Sequence, residues 1–137
     1  MIAYSKCVLL VCDPNQMRMP LRAILEHEGY IVVQVHDGTQ ALSEMHLHHF
    51  DAVVTDAFLP DCTARVLLDR AQSSWPEMPV ILFSRADWDT CDLAEIQGGF
   101  AWIRKSAHPG ILLSVLALAT ERGAERESVR AQEALSA

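Results

Sequence analysis

Three short apolar runs constrain this chain more than anything else in it. They are Cys7-Val8-Leu9-Leu10-Val11, Ala52-Val53-Val54 and Val80-Ile81-Leu82-Phe83. Each lacks the polar alternation of a strand with one wet face, which is the pattern of strands buried on both faces of a parallel sheet. Each run also closes on polar residues: Cys12-Asp13 after the first, Asp56 after the second and Ser84 after the third. In an open α/β sheet, ligands bind outside the carboxyl ends of the strands. One carboxylate at such an end can be nothing more than the start of a turn. The question is whether several strands deliver partners to the same edge.

Helical patterning fills the gaps between the runs. Pro14-Asn15 breaks the first strand, and Asn15 can cap a helix carrying Met17, Leu21, Ile24, Leu25 and Glu28 at helical spacing. Pro20 belongs near its first turn, and Gly29 stops it as the left-handed residue after the helix. Tyr30 to Val35 reads as the second strand, with Asp37-Gly38 as the turn after it. Thr39 then caps a second helix that turns Ala41, Leu42 and Met45 inward and ends near His46, His48 and His49. A third helix runs from Thr63 to Ser74, with Val66, Leu67 and Ala71 as core positions. Asp87 to Gln97 forms a weak fourth helix closed by Gly98-Gly99, and Phe100 to Arg104 a short fifth strand ending at Lys105. Pro109 suits the first position of a last, leucine-rich helix from Ile111 to Ala119.

Five strands alternating with five helices through short connections define an α/β fold. The expected architecture is a flavodoxin-like, doubly wound parallel sheet of order 2-1-3-4-5, occupying residues 1–122. Residues 123–137 turn to Glu, Arg, Ala and Ser, a polar helical tail or linker. The net charge of −7 argues against direct nucleic-acid binding, which needs a basic surface. No segment is apolar for the length of a membrane span, and residues 1–6 lead directly into a strand, so a cytoplasmic location is expected. The four cysteines (Cys7, Cys12, Cys62, Cys91) lack C-x-x-C spacing and read as free thiols.

In this topology Asp13, Asp56, Ser84 and Lys105 fall at the carboxyl ends of strands one, three, four and five. Two carboxylates, a hydroxyl and an ammonium around one crevice suit phosphoryl transfer to a carboxylate. Oxygen ligands hold Mg²⁺, the cation and hydroxyl take up phosphoryl charge, and a carboxylate is itself a competent nucleophile.

These residues, together with Asp37-Gly38, Ala41-Leu42 and the Asp56-x-x-x-Pro60 spacing, make the chain resemble a response-regulator receiver domain over residues 5–122. The resemblance implies that Asp56 is the phosphoacceptor and that Asp13, Asp56 and the backbone carbonyl of Phe58 bind Mg²⁺. It implies that Ser84 and Lys105 contact the phosphoryl group and that Trp102 is the switch aromatic. It further implies a histidine kinase or phosphotransfer protein as donor, and homodimerisation or output docking on the face formed by the fourth helix, fifth strand and fifth helix. Such a protein is a signalling switch rather than a conventional enzyme.

The sequence departs from the family pattern at three places. Cys12 stands where the first of two acids is usual, and a soft, protonated thiol is a poor Mg²⁺ ligand, so weakened metal binding is expected. Ser106 follows Lys105 where the family has proline after a cis bond; before serine that isomer costs about 3–4 kcal/mol, which favours a trans, re-aimed loop. The usual glycine of the loop after strand three is replaced within Cys62-Thr63-Ala64. These departures support an alternative reading, a degenerate receiver acting as a phosphorylation-independent interaction module. A flavin- or nucleotide-binding protein of the same fold would need a glycine-rich phosphate loop, and Asp13-Pro14-Asn15-Gln16-Met17 has none. A metal held by His46 and His49, and a redox role for Cys12 and Cys62, are further alternatives; a solvated helix end and inert thiols are the simpler accounts.

Overall fold

The computed structural model describes residues 6–12, 21–56, 59–62, 64–84, 101–104 and 110–120. The elements follow in the order β1 (Cys7–Val11), α1 (Leu21–His27), β2 (Ile31–Val35), α2 (Gly38–Leu47), β3 (Ala52–Asp56), α3 (Ala64–Ser74), β4 (Val80–Ser84) and β5 (Ala101–Arg104). Residues 110–120 form a further helix. All strand pairs are parallel and the sheet order is β2-β1-β3-β4-β5. The expected architecture is therefore present. The expected fourth helix (Asp87 to Gln97), Gly98-Gly99, Pro109 and the tail from residue 123 lie outside the described residues.

Alternation along the central strands divides the core in two. Val8, Leu10, Cys12, Ala52, Val54 and Ile81 point to one face, where Leu21 and Leu25 of α1 meet Leu112 and Leu116 of the last helix. Leu9, Val11, Val53 and Val80 point to the other, against Ala41 and Met45 of α2 and Leu67, Leu68 and Ala71 of α3. Helices on both faces leave β3, and β1 from Val8 onward, buried throughout, which is why their sequences carry apolar runs. Each fully buried leucine or valine contributes about 1.5–3 kcal/mol relative to exposure.

The chain runs from β1 out to β2 and then back across to β3. The switch point therefore lies between β1 and β3, and its open crevice is at their carboxyl ends.

The close of α1 follows its sequence signal. Gly29 has φ +97°, its N–H donates to the Glu26 carbonyl (3.0 Å), and the Tyr30 N–H donates to the Leu25 carbonyl (3.1 Å). That pair of bonds is the Schellman closure, which needs a left-handed residue at Gly29. A Cβ added there meets nothing within 4 Å, so the penalty for a side chain is conformational alone. Gly29→Ala is expected to destabilise the fold by about 1–2 kcal/mol, seen as a lower urea midpoint with an unchanged slope.

Two details differ from expectation. The N-cap of α2 is Asp37, not Thr39: Asp37 is extended (φ −143°, ψ 173°) and its carboxylate accepts the Gln40 N–H at 2.7 Å. Gln40 reaches back to accept the His36 N–H at 2.9 Å, a reciprocal arrangement that places Thr39 inside the first turn. In α3, Val66 is 41% exposed, and Leu68 takes the core position expected of it. Val66 lies five residues from Ala71, about 140° around the helix, whereas Leu67 and Leu68 lie four and three away on its own face.

The histidines at the end of α2 are exposed. His46 packs edge-on to Trp75 (centroids 4.9 Å apart), His48 faces Glu44 at 3.8 Å and His49 faces Asp51 at 3.7 Å. Among the described residues there is no cluster of three His, Cys, Asp or Glu suited to a metal. No helix among the described residues is long and apolar enough to cross a membrane.

Candidate functional site

Asp56 ends β3 and is 5% exposed, a carboxylate held at the mouth of the sheet. The backbone beneath it is fixed by strand pairing on both sides. Val11 of β1 is opposite Thr55, and Phe83 of β4 is opposite Asp56 itself. Thr55 is fully buried, and its hydroxyl donates to the Asp56 carbonyl at 3.0 Å. The side chain of residue 56 therefore projects from a rigid frame.

Continuing the β1–β3 register by one residue sets Cys12 beside Asp56. Cys12 is 0% exposed and belongs to the apolar cluster with Val8, Leu10, Leu21 and Leu25. Its N–H donates to the Val35 carbonyl (3.0 Å) and its Sγ accepts from Gln34 Nε2 (3.4 Å). The position that carries an acid in the resembling family is thus part of the hydrophobic core here.

The backbone of Ser84 comes to the same edge, one residue beyond Phe83 and level with Arg104 of β5. Trp102 is on the edge strand, level with Leu82, so it sits two residues back from that edge. The sheet thus brings Cys12, Asp56 and Ser84 together on three adjacent strand ends. Asp13, Phe58, Lys105 and Ser106 lie outside the described residues.

Asp61, which the sequence marks only as a chain break, is bound to α2. Its Oδ1 accepts the Gly38 N–H at 2.8 Å, and its Oδ2 accepts the Thr39 N–H at 2.9 Å and the Thr39 hydroxyl at 2.7 Å. The Gly38 amide and the Thr39 hydroxyl, in that order, hold the Asp61 carboxyl well below the ordinary carboxylate range. Gly38 allows the approach, because a Cβ there would overlap the Sγ of Cys62. Asp37-Gly38 and Pro60-Asp61 both look like local turns, and no local pattern says that they meet.

Burial, reinforced by the charge of Asp61, pushes the Cys62 thiol up, and burial with Asp51 does the same to Cys7. Both shifts oppose thiolate formation, so neither group has the character of a reactive cysteine.

The fit of this edge to a divalent cation is set by donor chemistry. Asp56 supplies a hard oxygen suited to Mg²⁺, and Cys12 supplies a sulfur that is not. A separate cavity of about 260 Å³ opens at the other edge of the sheet, lined among others by Phe50, Asp51, Trp75, Met78 and Pro79, and takes no part in this arrangement.

A family model, that of the response regulator receiver domain, matches residues 8–117. The chain is 31% identical over 118 residues to the CAI-1 autoinducer sensor kinase/phosphatase CqsS of Vibrio cholerae, covering 83% of this chain and 17% of that protein. It is 28% identical over 86 residues to response regulator GtcR of Aneurinibacillus migulanus, covering 63% of this chain and 35% of that protein. The chain therefore spans a minor part of the length of these curated relatives. Among solved structures, the signal receiver domain of an HD domain-containing protein from Pseudomonas fluorescens superposes with a TM-score of 0.82 at 27% identity, over 93% of this chain and 96% of that one. A CheY-like receiver domain protein from Methanospirillum hungatei gives 0.79 at 25% identity, over 90% and 99%.

Proposed function

The chain belongs to the response regulator receiver domain family, and from that premise we propose that it is a phosphorylation-controlled signalling receiver with Asp56 as its phosphoacceptor. The observation that carries this reading is the placement of Asp56: a buried carboxylate at the carboxyl end of a central strand, beside the switch point of the sheet. The donor is a phosphohistidine on a histidine kinase or phosphotransfer protein. An oxygen of Asp56 attacks the phosphorus, the O–P bond forms as the N–P bond breaks, and the imidazole leaves with its electron pair and takes up a proton. The rigid β3 frame holds the nucleophile in place, which is most of what catalysis of phosphoryl transfer requires.

Lys105 and Ser84 take up charge on the transferred group, and Trp102 answers the change at Ser84. Asp13, Asp56 and the backbone carbonyl of Phe58 would hold Mg²⁺, which when bound supplies neutralisation of phosphoryl charge. Cys12 adds no oxygen ligand, so Mg²⁺ binding is weaker than a pair of acids would give. The output surface is the face of the fourth helix, β5 and the last helix; on the last helix Ile111 and Leu118 are 51% and 53% exposed. A second copy of the chain is its proposed occupant, and the cytoplasm the compartment in which it works. The acidic charge speaks against direct contact with nucleic acid.

The test is phosphoryl uptake. Incubation with acetyl phosphate and Mg²⁺ is expected to add one phosphoryl mass to the intact protein. Borohydride reduction and peptide mapping are expected to place the label on the peptide bearing Asp56. Label on any other residue, or none with millimolar Mg²⁺, contradicts the assignment.

The burial of Cys12 favours one second reading, a degenerate receiver that acts as a protein-interaction module without phosphorylation. Beryllofluoride with Mg²⁺ separates the two. A tryptophan fluorescence change supports the switch, and an unchanged spectrum supports the constitutive module.

A further inference from the structure

We propose that Asp61 is a positioning residue for the phosphoacceptor, latching the loop that leaves Asp56 onto the first turn of α2. The proposal rests on Asp56 being the residue that takes the phosphoryl group.

The three first-turn amides of α2 are served by two carboxylates. Gln40 N–H is bound by Asp37, the helix's own cap, while Gly38 N–H and Thr39 N–H are bound by Asp61 from the β3–α3 connection. The Thr39 hydroxyl adds a third bond to Asp61, so both oxygens of that side chain are committed across more than twenty residues of sequence. A carboxylate at this end of a helix is further favoured by the peptide dipoles. The same loop is closed on itself, with Leu59 N–H donating to the Cys62 carbonyl at 3.0 Å. Leu59 and Cys62 pack against the core on the α2–α3 face, and Gly38 leaves room for the Cys62 sulfur.

Asp56 is thus fixed from below by the sheet, and residues 59–62 are fixed from the side by α2. Only two residues join them. Where Asp61 holds residues 59–62 therefore limits how far the end of β3 can shift, since a two-residue link has a short reach. Phosphoryl transfer depends on alignment, and small misplacements of a reacting group have large effects on rate. The competing account is that Asp61 is only a second cap for α2. The two accounts differ in what the other cap does. Asp37 serves the same helix end through the Gln40 N–H, and among the described residues its carboxylate makes no hydrogen bond to the β3–α3 loop, although its charge reaches the Cys62 thiol.

The experiment compares the rate of labelling by acetyl phosphate with Mg²⁺ in the full chain and in Asp61→Ala, Asp61→Asn and Asp37→Ala, with urea unfolding of each to confirm the folded fraction. Asp61→Ala is expected to slow labelling about tenfold, within the range that a small misplacement of reacting groups costs. Asp61→Asn keeps one acceptor oxygen and is expected to recover part of that rate. Should Asp61→Ala not fold, Asp61→Asn alone is expected to label about threefold more slowly than the parent chain. Asp37→Ala is expected to lower the urea midpoint and leave the labelling rate within about twofold, as loss of a cap away from the reacting group should. Wild-type labelling rates in both Asp61 variants, or an equal loss in Asp37→Ala, overturn the positioning role and leave the Asp56 assignment standing. A parent chain that takes no label overturns both, so the two failures are told apart by the unsubstituted protein.

Discussion

Asp56→Asn is expected to lose phosphoryl uptake altogether while keeping its fold. The amide oxygen carries no full negative charge and cannot form a stable acyl phosphate, so the nucleophile itself is removed rather than misaligned. A loss of about a thousandfold or more, equivalent to about 4 kcal/mol of barrier, is the lower bound on such a change. The fold has little reason to respond. Asparagine is isosteric, the strand pairing on both sides is backbone, and the bond from the Thr55 hydroxyl goes to the carbonyl of residue 56 rather than its side chain. Unfolding in Mg²⁺-free urea should therefore stay within about 1 kcal/mol of the parent chain. Intact mass after acetyl phosphate treatment gives the answer. One phosphoryl increment on the parent and none on the variant supports the assignment. The same increment on both would remove Asp56 from its role.

How far this was legible in the sequence follows from which interactions are local. β1 has the limits of its apolar run, and β3 and β4 begin with theirs and continue to Asp56 and Ser84, because a strand dry on both faces writes its burial into consecutive residues. Gly29 announced the end of α1 because a left-handed position selects glycine directly. The sheet order expected of a flavodoxin-like fold of this size is present, and it brings Asp56 and Ser84 to one edge as expected, while Asp13 and Lys105 lie outside the described residues. The parts that were not legible depend on partners far away in sequence. Asp37 and Thr39 are both acceptable caps. The choice falls to Asp37 because Thr39 is drawn to Asp61, twenty-two residues later. Val66 and Leu68 are both apolar, and here the signal was local: with Leu67 and Ala71 inside, helical spacing puts Leu68 on the buried face and Val66 off it. Asp61 itself reads as a turn residue until its two oxygens are seen on α2. The full burial of Cys12 likewise needed the structure, since position 12 is the first residue past a strand and the sequence does not say which way it points.

That burial makes Cys12→Asp the most informative substitution after Asp56→Asn. The variant restores a hard oxygen beside Asp56 and is expected to bind Mg²⁺ about tenfold more tightly, or about 1.4 kcal/mol. In the absence of metal the same change puts a carboxylate into a cluster of valines and leucines, where an uncompensated charge costs about 3–5 kcal/mol. Gln34 Nε2, which already donates to the sulfur, can donate to the new carboxylate and offset about 1.5–3 kcal/mol of that. The metal-free variant should then be less stable than the parent by up to about 3.5 kcal/mol, the difference between those two effects. Binding to the folded state alone contributes about 2.7 kcal/mol when the ligand is at a hundred times its dissociation constant. Saturating Mg²⁺ should therefore return most of the lost stability, and the urea midpoint of Cys12→Asp should depend on Mg²⁺ far more steeply than that of the parent. Cys12→Ser is the control, since it removes the sulfur without adding a charge and should leave the Mg²⁺ dependence shallow. If instead Cys12→Asp is destabilised and Mg²⁺ does not restore it, position 12 is core and nothing else. The cysteine would then have taken this strand end out of the metal site, leaving Asp56 to work with the ligands that remain.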